Sequence, residues 1–233
     1  MPYLSNIVQF QKSLNEHLIN IVQMTQANPR SIDYWFPTAI YKEILSDFSQ
    51  HNGHLKNKAL TLKKSQQNHQ VTQWRCDTFN TLGTYDPGQD HDSVVKELIK
   101  TIKVKVYEFS RQFGVTTPIE SLVLKDFWFN VSGTGSYQEY HQHALSHFSV
   151  VYYVSAPKTC GNIVFQSAET ITDMFTLPIE NNKFTELSFK TCSYEPLESM
   201  MLIFKSNLIH MVEKNLSNED RISIAMNFKF EGQ

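Results

Sequence analysis

The feature that most constrains this fold is a series of short apolar segments, rich in β-branched and aromatic residues, across the second half of the chain. Turn residues separate most of them, and no helical pattern interrupts the series. A parallel sheet needs crossover helices, so the pattern predicts an antiparallel sandwich or barrel with the double-sheet character of a jelly roll. The segments are Leu122–Asn130, Phe148–Ser155, Asn162–Gln166, Lys183–Lys190, Met200–Phe204, Ile209–Glu213 and Ile222–Phe230.

The first half of the chain has helical patterns in place of strands. Apolar residues recur at three- and four-residue steps from Ile7 to Ile21, which predicts an amphipathic helix. A second helix is predicted after Asp92 or Ser93, either of which can cap it, and Gly114 is expected to end it. Its predicted buried face consists of Val95, Leu98, Ile99, Ile102, Val106 and Phe109.

Between these two helices the sequence predicts less regular structure. A short apolar strand is expected at Ala39–Ile44, and the polar stretch His51–Gln73 is typical of a mobile connection or a weak helix. We therefore expect a helical and mixed region over residues 1–120 that packs on a jelly-roll core over residues 121–233. A chain of this length has room for both parts in one domain.

Composition argues against several classes of protein. The 21 basic and 23 acidic residues give a formal charge of -2, so the charge balance favours neither nucleic acid nor an anionic membrane as partner. The three cysteines are an odd number without C-x-x-C spacing, which argues against a disulfide framework and a structural zinc knuckle. No signal peptide or membrane span is recognisable, so we expect a cytoplasmic protein.

Histidines gather at the start of one predicted strand. His141, His143 and His147 lie directly before the segment Phe148–Ser155. If the chain is extended there, His141 and His143 share a face, whereas His147 is expected on the substrate side or at the surface. A polar strand edge would give the same pattern. A third imidazole, His210, strengthens the prediction of a metal site, because a ring in an apolar strand–turn–strand needs a hydrogen bond, a metal or solvent.

Arg221 and Ser223 are predicted to share the face of the last strand that looks into the same cavity as the histidines. A guanidinium is rarely buried without an anion, and an Arg–Ser pair can hold a carboxylate through parallel hydrogen bonds. The alternative is a salt bridge from Arg221 to a nearby acid. The acids within reach in the sequence are Glu213, Glu219 and Asp220.

The order of these residues, H-x-H at 141–143, then His210, then R-x-S at 221–223, resembles the signature of the Fe(II)/2-oxoglutarate-dependent oxygenases. More narrowly, the chain is similar to a bacterial and phage family of 2OG-Fe(II) oxygenases from Trp35 almost to its end. The predicted N-terminal helix has no counterpart in this similarity. The segments that carry it are Trp35-Phe36-Pro37-Thr38-Ala39-Ile40, Trp128-Phe129-Asn130, Phe204-Lys205-Ser206, His210-Met211-Val212, Asn215 and Glu219-Asp220-Arg221-Ile222-Ser223.

The resemblance implies a double-stranded β-helix that binds Fe(II) and the co-substrate 2-oxoglutarate. It implies that His141, His143 and His210 hold the iron, whose open positions take the co-substrate and dioxygen. It also implies that the distal carboxylate of 2-oxoglutarate reaches a polar pocket. The residues implied for that pocket are Arg221, Ser223, Asn130 and a tyrosine, either Tyr137 or one of Tyr152 and Tyr153, which alternation places on opposite faces.

One position departs from the wider superfamily. Most members carry Asp or Glu where this chain has His143, and three neutral imidazoles leave the site one negative charge short. The narrower family regularly carries H-x-H, which argues for a variant site. A nearby carboxylate such as Glu139 can also serve as the ligand or act from behind the ligands.

The function implied by the resemblance is hydroxylation of an unactivated C–H bond, with release of succinate and carbon dioxide. Two alternatives stay open: a three-histidine metalloenzyme of cupin type that needs no 2-oxoglutarate, and a non-catalytic jelly-roll binding module. We expect a small-molecule or peptide substrate and neither nucleic acid nor membrane as partner. The apolar stripe of Ile7–Ile21 can serve a homodimer.

Overall fold

The computed structural model describes residues 36–68, 75, 77–167, 177–180 and 183–232, and residues 39–233 form one compact unit. The helix predicted at Ile7–Ile21 lies outside the described residues. Within the described ranges, the helices are too short or too polar to cross a membrane. The strands are β1 (Ile40–Ile44), β2 (Phe79–Asn80), β3 (Leu122–Ser132), β4 (Gln138–His141), β5 (Phe148–Ser155), β6 (Ile163–Gln166), β7 (Thr191–Tyr194), β8 (Met200–Lys205), β9 (His210–Val212) and β10 (Arg221–Phe230), and the α-helices are α1 (Asn52–Ser65) and α2 (Ser93–Arg111).

The strands form two antiparallel sheets. The larger sheet has the order β1-β8-β5-β10-β3-β2, and the smaller sheet has the order β4-β9-β6-β7. Strand β10 therefore lies between β3 and β5, and β9 between β4 and β6, so strands far apart in the chain become neighbours. This arrangement is a double-stranded β-helix, and the predicted jelly roll is confirmed.

Each strand of the larger sheet sends alternate side chains to two different surroundings. One face packs against α1 and α2 in the larger apolar cluster, which contains Phe129, Tyr152 and Ile224. The opposite face meets the smaller sheet in a second cluster, where Tyr153 packs with Phe165 and other apolar side chains. The cavity described below lies between the two sheets, on this second side.

Helix α2 begins and ends as its sequence predicts. The carboxylate of Asp92 accepts hydrogen bonds from the N–H groups of Val94 and Val95, at 3.0 and 3.2 Å, and so caps the first turn. Gly114, at a φ of 78°, donates its N–H to the carbonyl of Arg111 just after the last turn. The residues buried along the helix are Val95, Leu98, Ile102, Val106, Phe109 and Ser110.

Other elements differ from the expectations. Helix α1 occupies the stretch expected as a mobile connection or weak helix, and it buries Leu55 and Ala59 completely. The strand predicted at Lys183–Lys190 is wrong: these residues are described as turn and coil, and strand β7 starts one residue later. The Ser188 hydroxyl accepts the N–H of Thr185 at 2.8 Å, and this local turn replaces a strand pairing.

Candidate active site

A cavity between the two sheets contains most of the predicted site residues. Its interior has a free volume of about 50 Å³. Its only charged side chain among the described lining residues is Arg221, and no carboxylate lines it there. The lining consists of Trp128, Asn130, Ser132, Gln138, His141, His143, Val150, Val151, Tyr153, Ile163, Phe204, His210, Val212, Arg221, Ser223 and Ala225.

Three histidines converge in this cavity from two places in the chain. His141 and His210 are register partners on β4 and β9, and His143 follows two residues beyond the first, its N–H held by the carbonyl of Ser206 at 2.9 Å. The centroid of the His141 ring lies 4.3 Å from that of His210 and 5.2 Å from that of His143.

The spacing of these imidazoles fits a single metal ion. Their ligand nitrogens all lie within 4.8 Å of one another. Three nitrogens on one ion, each at roughly 2.1 Å, lie about 3.0–3.6 Å from one another, so the rings would close by about 1–2 Å around a bound ion. Three imidazoles are a donor set typical of iron and other first-row transition metals, and less suited to magnesium or calcium, which prefer oxygen.

Two of the three rings are oriented by backbone carbonyls. Nδ1 of His141 lies 2.7 Å from the carbonyl oxygen of Glu139, and Nδ1 of His210 lies 2.8 Å from that of Leu208. Since a carbonyl only accepts, Nδ1 carries the proton in both rings, and the lone pair is on Nε2. The sequence therefore fixes the tautomer that presents Nε2 to a metal.

Burial keeps the three imidazoles neutral. Burial lowers the pKa of His143 to about 4, with a further lowering from His141. Burial also lowers the pKa of His141, and that of His210 falls well below its ordinary value of 6.5. A metal binds the neutral form of imidazole, so the site does not have to release protons from these rings near neutral pH.

Arg221 lies at the inner end of the cavity and is only 3% exposed. Its Nη1 donates to the carbonyls of Cys160, Gly161 (3.2 Å) and Glu213 (3.3 Å). Burial lowers the pKa of this guanidinium. The side chain of Cys160 is a further hydrogen-bond partner of the guanidinium, and its remaining N–H groups are available to an anion.

The turn that supplies these carbonyls requires glycine. Gly161 has a φ of 85°, and a Cβ at this position would collide with the carbonyl of Glu213. The carbonyls of Gly161 and Glu213 both accept from Arg221, so this close approach of two backbone segments holds the guanidinium in place. No motif in the sequence predicted this turn.

Tyr152 and Tyr153 point to opposite sides of the larger sheet, as the alternation rule predicts. The hydroxyl of Tyr152 donates to Oδ1 of Asn52 at 2.7 Å, on the side of helix α1. The hydroxyl of Tyr153 is buried beside the cavity and has no hydrogen-bond partner in the described part of the chain. Burial raises the pKa of Tyr153, and the charge of Arg221 opposes that rise.

The remaining predicted contacts divide between the cavity and its surroundings. Ser223 pairs in register with both Asn130 and Tyr153, so these three side chains emerge on one face next to Arg221. The structure does not bring Tyr137 into this lining; its carbonyl lies 3.3 Å from the hydroxyl of Thr78. Gln138, which sequence reasoning missed, does line the cavity and approaches Oδ1 of Asn130 with its amide nitrogen at 3.4 Å.

Two further candidates lie outside the histidine cluster. Glu139 does not join the three rings; one carboxylate oxygen accepts the N–H of Arg75 at 2.8 Å, and its backbone carbonyl orients His141. His147 is exposed, and its Nδ1 accepts the N–H of Phe230 at 3.0 Å. His147 thus joins the loop after the H-x-H element to the end of β10.

Residues 126–227 match the sequence model of the family described as "Putative 2OG-Fe(II) oxygenase". The resemblance is confirmed. The matched range contains the three histidines, Arg221 and Ser223, and the prediction of Fe(II) and 2-oxoglutarate is confirmed at the level of this family. Comparison with curated proteins gave no match.

Solved structures with the same fold include enzymes of several kinds. A Pseudomonas putida prolyl-4-hydroxylase is 12% identical with a TM-score of 0.58, over 84% of this chain and 94% of its own. The α-ketoglutarate-dependent epimerase SnoN of nogalamycin biosynthesis is 12% identical with a TM-score of 0.57, over 83% and 77%. A collagen prolyl hydroxylase from Paramecium Bursaria Chlorella virus-1 is 15% identical with a TM-score of 0.50, over 83% and 96%.

Proposed function

We propose that this chain is an Fe(II)- and 2-oxoglutarate-dependent oxygenase that hydroxylates an unactivated C–H bond. One observation carries the proposal. Three neutral imidazoles with ligand atoms within 4.8 Å of one another share a cavity with the buried guanidinium of Arg221. A metal centre and an anion site in one enclosed space suit a ligand that is a chelator at one end and a carboxylate at the other.

The polar end of the cavity fits the distal carboxylate of 2-oxoglutarate. The backbone carbonyls around Arg221 accept from Nη1, so other N–H groups of the guanidinium can serve an anion. The Tyr153 hydroxyl beside the cavity is buried without a partner among the described residues. A buried hydroxyl that makes no hydrogen bond costs about 1–3 kcal/mol, and a bound carboxylate would remove that cost. Ser223 and Asn130 emerge on the same face and can donate further hydrogen bonds.

In the proposed reaction, the protein residues bind the metal and shape the cavity around it. An iron ion held by His141, His143 and His210 would supply the oxidative decarboxylation of 2-oxoglutarate by dioxygen to succinate and carbon dioxide, with the second oxygen atom going to the substrate. The three histidines fix the ion and leave coordination positions open. Val151, Phe204 and Val212 line the cavity with apolar surface, which limits water around the reacting groups.

Two parts of the proposal go beyond the family: the substrate class and the outcome at the C–H bond. Relatives of the same fold are named as prolyl hydroxylases and as an epimerase, so the fold alone allows more than one outcome. Hydroxylation of a small molecule or peptide is the reaction we propose, in a cytoplasmic protein that binds neither nucleic acid nor membrane. The possible homodimer through Ile7–Ile21 stays a prediction.

One specific observation favours a second candidate. In the part of the chain that the structure describes, no carboxylate joins the three rings, and cupin-type metalloenzymes that need no 2-oxoglutarate also use three histidines. For such an enzyme Arg221 would have no role in the reaction, and activity would not depend on 2-oxoglutarate. A non-catalytic binding module would bind metal weakly and keep its ligand in the His141→Ala variant.

Anaerobic titration of the metal-free protein with Fe(II), and then with 2-oxoglutarate, tests the proposal. We expect a visible metal-to-ligand charge-transfer band only when both are present. In Arg221→Ala, the 2-oxoglutarate concentration that gives half of this band should rise by about 10–100-fold, the loss of affinity expected for hydrogen bonds to a charged group. His147→Ala is the matched control, because this exposed histidine contacts Phe230 outside the cavity. Fe(II) binding without any band would contradict the proposal.

A further inference from the structure

His143 differs from the other two histidines in how its ring is held. The rings of His141 and His210 each have Nδ1 at a backbone carbonyl, at 2.7 and 2.8 Å. The ring of His143 makes no hydrogen bond to any residue in the described ranges. Apart from the other two histidines, it contacts the ring of Trp128, with 5.6 Å between the ring centroids. When one nitrogen of this ring holds a metal, the N–H on the other nitrogen needs an acceptor.

A carboxylate lies on the same face of β3 as Trp128. Asp126 pairs in register with Asn227, and Trp128 pairs with Ala225, so Asp126 and Trp128 are neighbours on the cavity side of the sheet. Nδ2 of Asn227 donates to Oδ2 of Asp126 at 2.9 Å, and Nζ of Lys125 lies 3.4 Å from the same oxygen. The second oxygen, Oδ1, has no donor among the described residues.

A chain of buried hydrogen bonds joins this carboxylate to the loop that carries His143. The Ser149 hydroxyl donates to Oδ1 of Asn227 at 2.7 Å and lies 2.9 Å from the Ser206 hydroxyl. The carbonyl of Ser206 accepts the N–H of His143 at 2.9 Å. The three linking residues, Ser149, Ser206 and Asn227, are each at most 3% exposed.

A buried chain of polar side chains is favourable in a fold only when its hydrogen bonds are satisfied. Buried polar side chains destabilise a protein unless every group finds a partner, and a satisfied network then fixes one arrangement of its members. Here the network joins β3, β10, β5 and the turn after β8 to the loop before β5. A second contact, from Nζ of Lys125 to the carbonyl of Ala144 at 3.2 Å, also ties this loop to β3. The positions of Asp126 and His143 are therefore coupled through the backbone.

Resting on the proposed iron site, we propose that Asp126 is the positioning residue of His143. Once a metal holds one nitrogen of His143, the free Oδ1 of Asp126 is the acceptor for the N–H on the other nitrogen. Its negative charge then offsets, from outside the cavity, the charge that the three-imidazole set lacks. A carboxylate behind a histidine ligand makes the imidazole a stronger donor.

Metal affinity in the absence of 2-oxoglutarate tests this role. In Asp126→Asn the amide oxygen can still accept from Asn227, but the charge is lost. We expect Co(II) to bind about 10–100-fold more weakly to this variant than to the natural protein, with a shifted visible spectrum of the bound ion. Glu231→Gln is the matched control, because Glu231 also lies beside a lysine, 3.7 Å from Nζ of Lys229, but does not line the cavity. Unchanged affinity and spectrum in Asp126→Asn would overturn the proposal.

A double-mutant cycle separates positioning from a general structural effect. In a His143→Ala background Asp126→Asn should cost less than about twofold, since the residue it acts through is gone. An equal loss in both backgrounds would overturn the proposal. Asp126→Glu should restore affinity, and Asp126→Ser is the second test variant if the amide variant does not fold.

These outcomes are distinguishable from failure of the proposed function. The Co(II) measurements need neither 2-oxoglutarate nor dioxygen. Tight Co(II) binding that depends on Asp126, without a 2-oxoglutarate band, would contradict the oxygenase proposal and support the positioning role. A normal band with metal affinity indifferent to Asp126 would do the reverse.

Discussion

The two faces of the larger sheet come from the same strands and have opposite chemistry. On β10, Ile222, Ile224 and Met226 enter the apolar cluster under the helices, whereas Arg221, Ser223 and Ala225 line the cavity. The neighbouring β5 repeats this division: Tyr152 faces helix α1, and Tyr153 faces the cavity. Strand alternation thus lets one stretch of chain supply both a core and a site, so substitutions one residue apart should separate stability from ligand binding.

The largest effect is expected on the helix side. Phe129 is fully buried, with its ring 5.4 Å from those of Tyr85 and Phe127, and truncating a core phenylalanine costs about 3–5 kcal/mol. Phe129→Ala should therefore lower the melting temperature by roughly 10 °C, measured by circular dichroism. Its Co(II) affinity, measured well below the melting temperature, should stay within about threefold of the natural protein. A selective loss of metal binding with unchanged stability would contradict the division of the sheet into a core face and a site face.

The next effect is expected on the cavity side. His141→Ala removes one of three ligands from an edge strand, so Co(II) affinity should fall by more than about 100-fold, beyond the loss typical of residues behind the ligands. The melting temperature of the metal-free protein should move by less than about 4 °C. Isothermal titration with the metal measures the first quantity. His147→Ala again provides the control, and similar losses in both variants would contradict the assignment of ligands.

The two adjacent tyrosines provide the sharpest test. Tyr152→Phe removes a buried hydrogen bond to Asn52, which in turn donates to Ser199, so it should destabilise the protein by about 1–3 kcal/mol. Tyr153→Phe removes a hydroxyl without a described partner, so the metal-free protein should be equally stable or up to about 1 kcal/mol more stable.

Binding of 2-oxoglutarate should show the opposite order. Tyr153→Phe should weaken it about tenfold, and Tyr152→Phe should leave it nearly unchanged, because only Tyr153 lines the cavity. Urea unfolding and titration of the charge-transfer band measure the two effects. Equal behaviour of the two variants in both assays would refute the division of the sheet into a core face and a site face.

The smallest effect is expected at the cap of α2, far from the histidines. Burial acts to raise the pKa of Asp92, but hydrogen bonds from His54, Lys58 and the N–H of Val95 outweigh it and bring the value to about 2. A carboxylate with a lowered pKa stabilises the fold above its unfolded value of about 4, and this contribution is lost as the pH falls through about 2.

Asp92→Ala should accordingly cost about 1 kcal/mol at pH 6, and the difference from the natural protein should shrink between pH 4 and pH 2. Urea unfolding at a series of pH values measures it, with Glu231→Ala as an exposed control. A difference that grows on acidification would have the wrong sign for this cap.

Much of the site was predictable because it depends on short-range rules. Spacing of i and i+2 brings Arg221 and Ser223 to one face, and the same rule separates Tyr152 from Tyr153. The convergence of His210 with His141 and His143 needed the family resemblance, since no local rule joins positions 67 residues apart.

The remainder depends on contacts that the sequence does not encode locally. Strand β4 is built from polar residues, Gln138–His141, which lack the alternation that predicts a strand. The carbonyls that hold Arg221 come from a turn defined by Gly161, and the link between Asp126 and Asn227 joins strands about a hundred residues apart. The sequence predicted only a mobile connection or a weak helix where α1 lies, because only one side of this polar stretch meets the core, at Leu55 and Ala59.

The backbone carbonyls behind His141 and His210 have a practical consequence for anyone who handles the protein. Rings already turned toward a common point can capture whichever divalent ion arrives first, and nitrogen ligands hold copper, nickel and zinc more tightly than ferrous iron. Nickel resins and trace zinc in buffers would therefore compete for the centre, and preparations should be stripped with a chelator and loaded with iron under nitrogen before any assay.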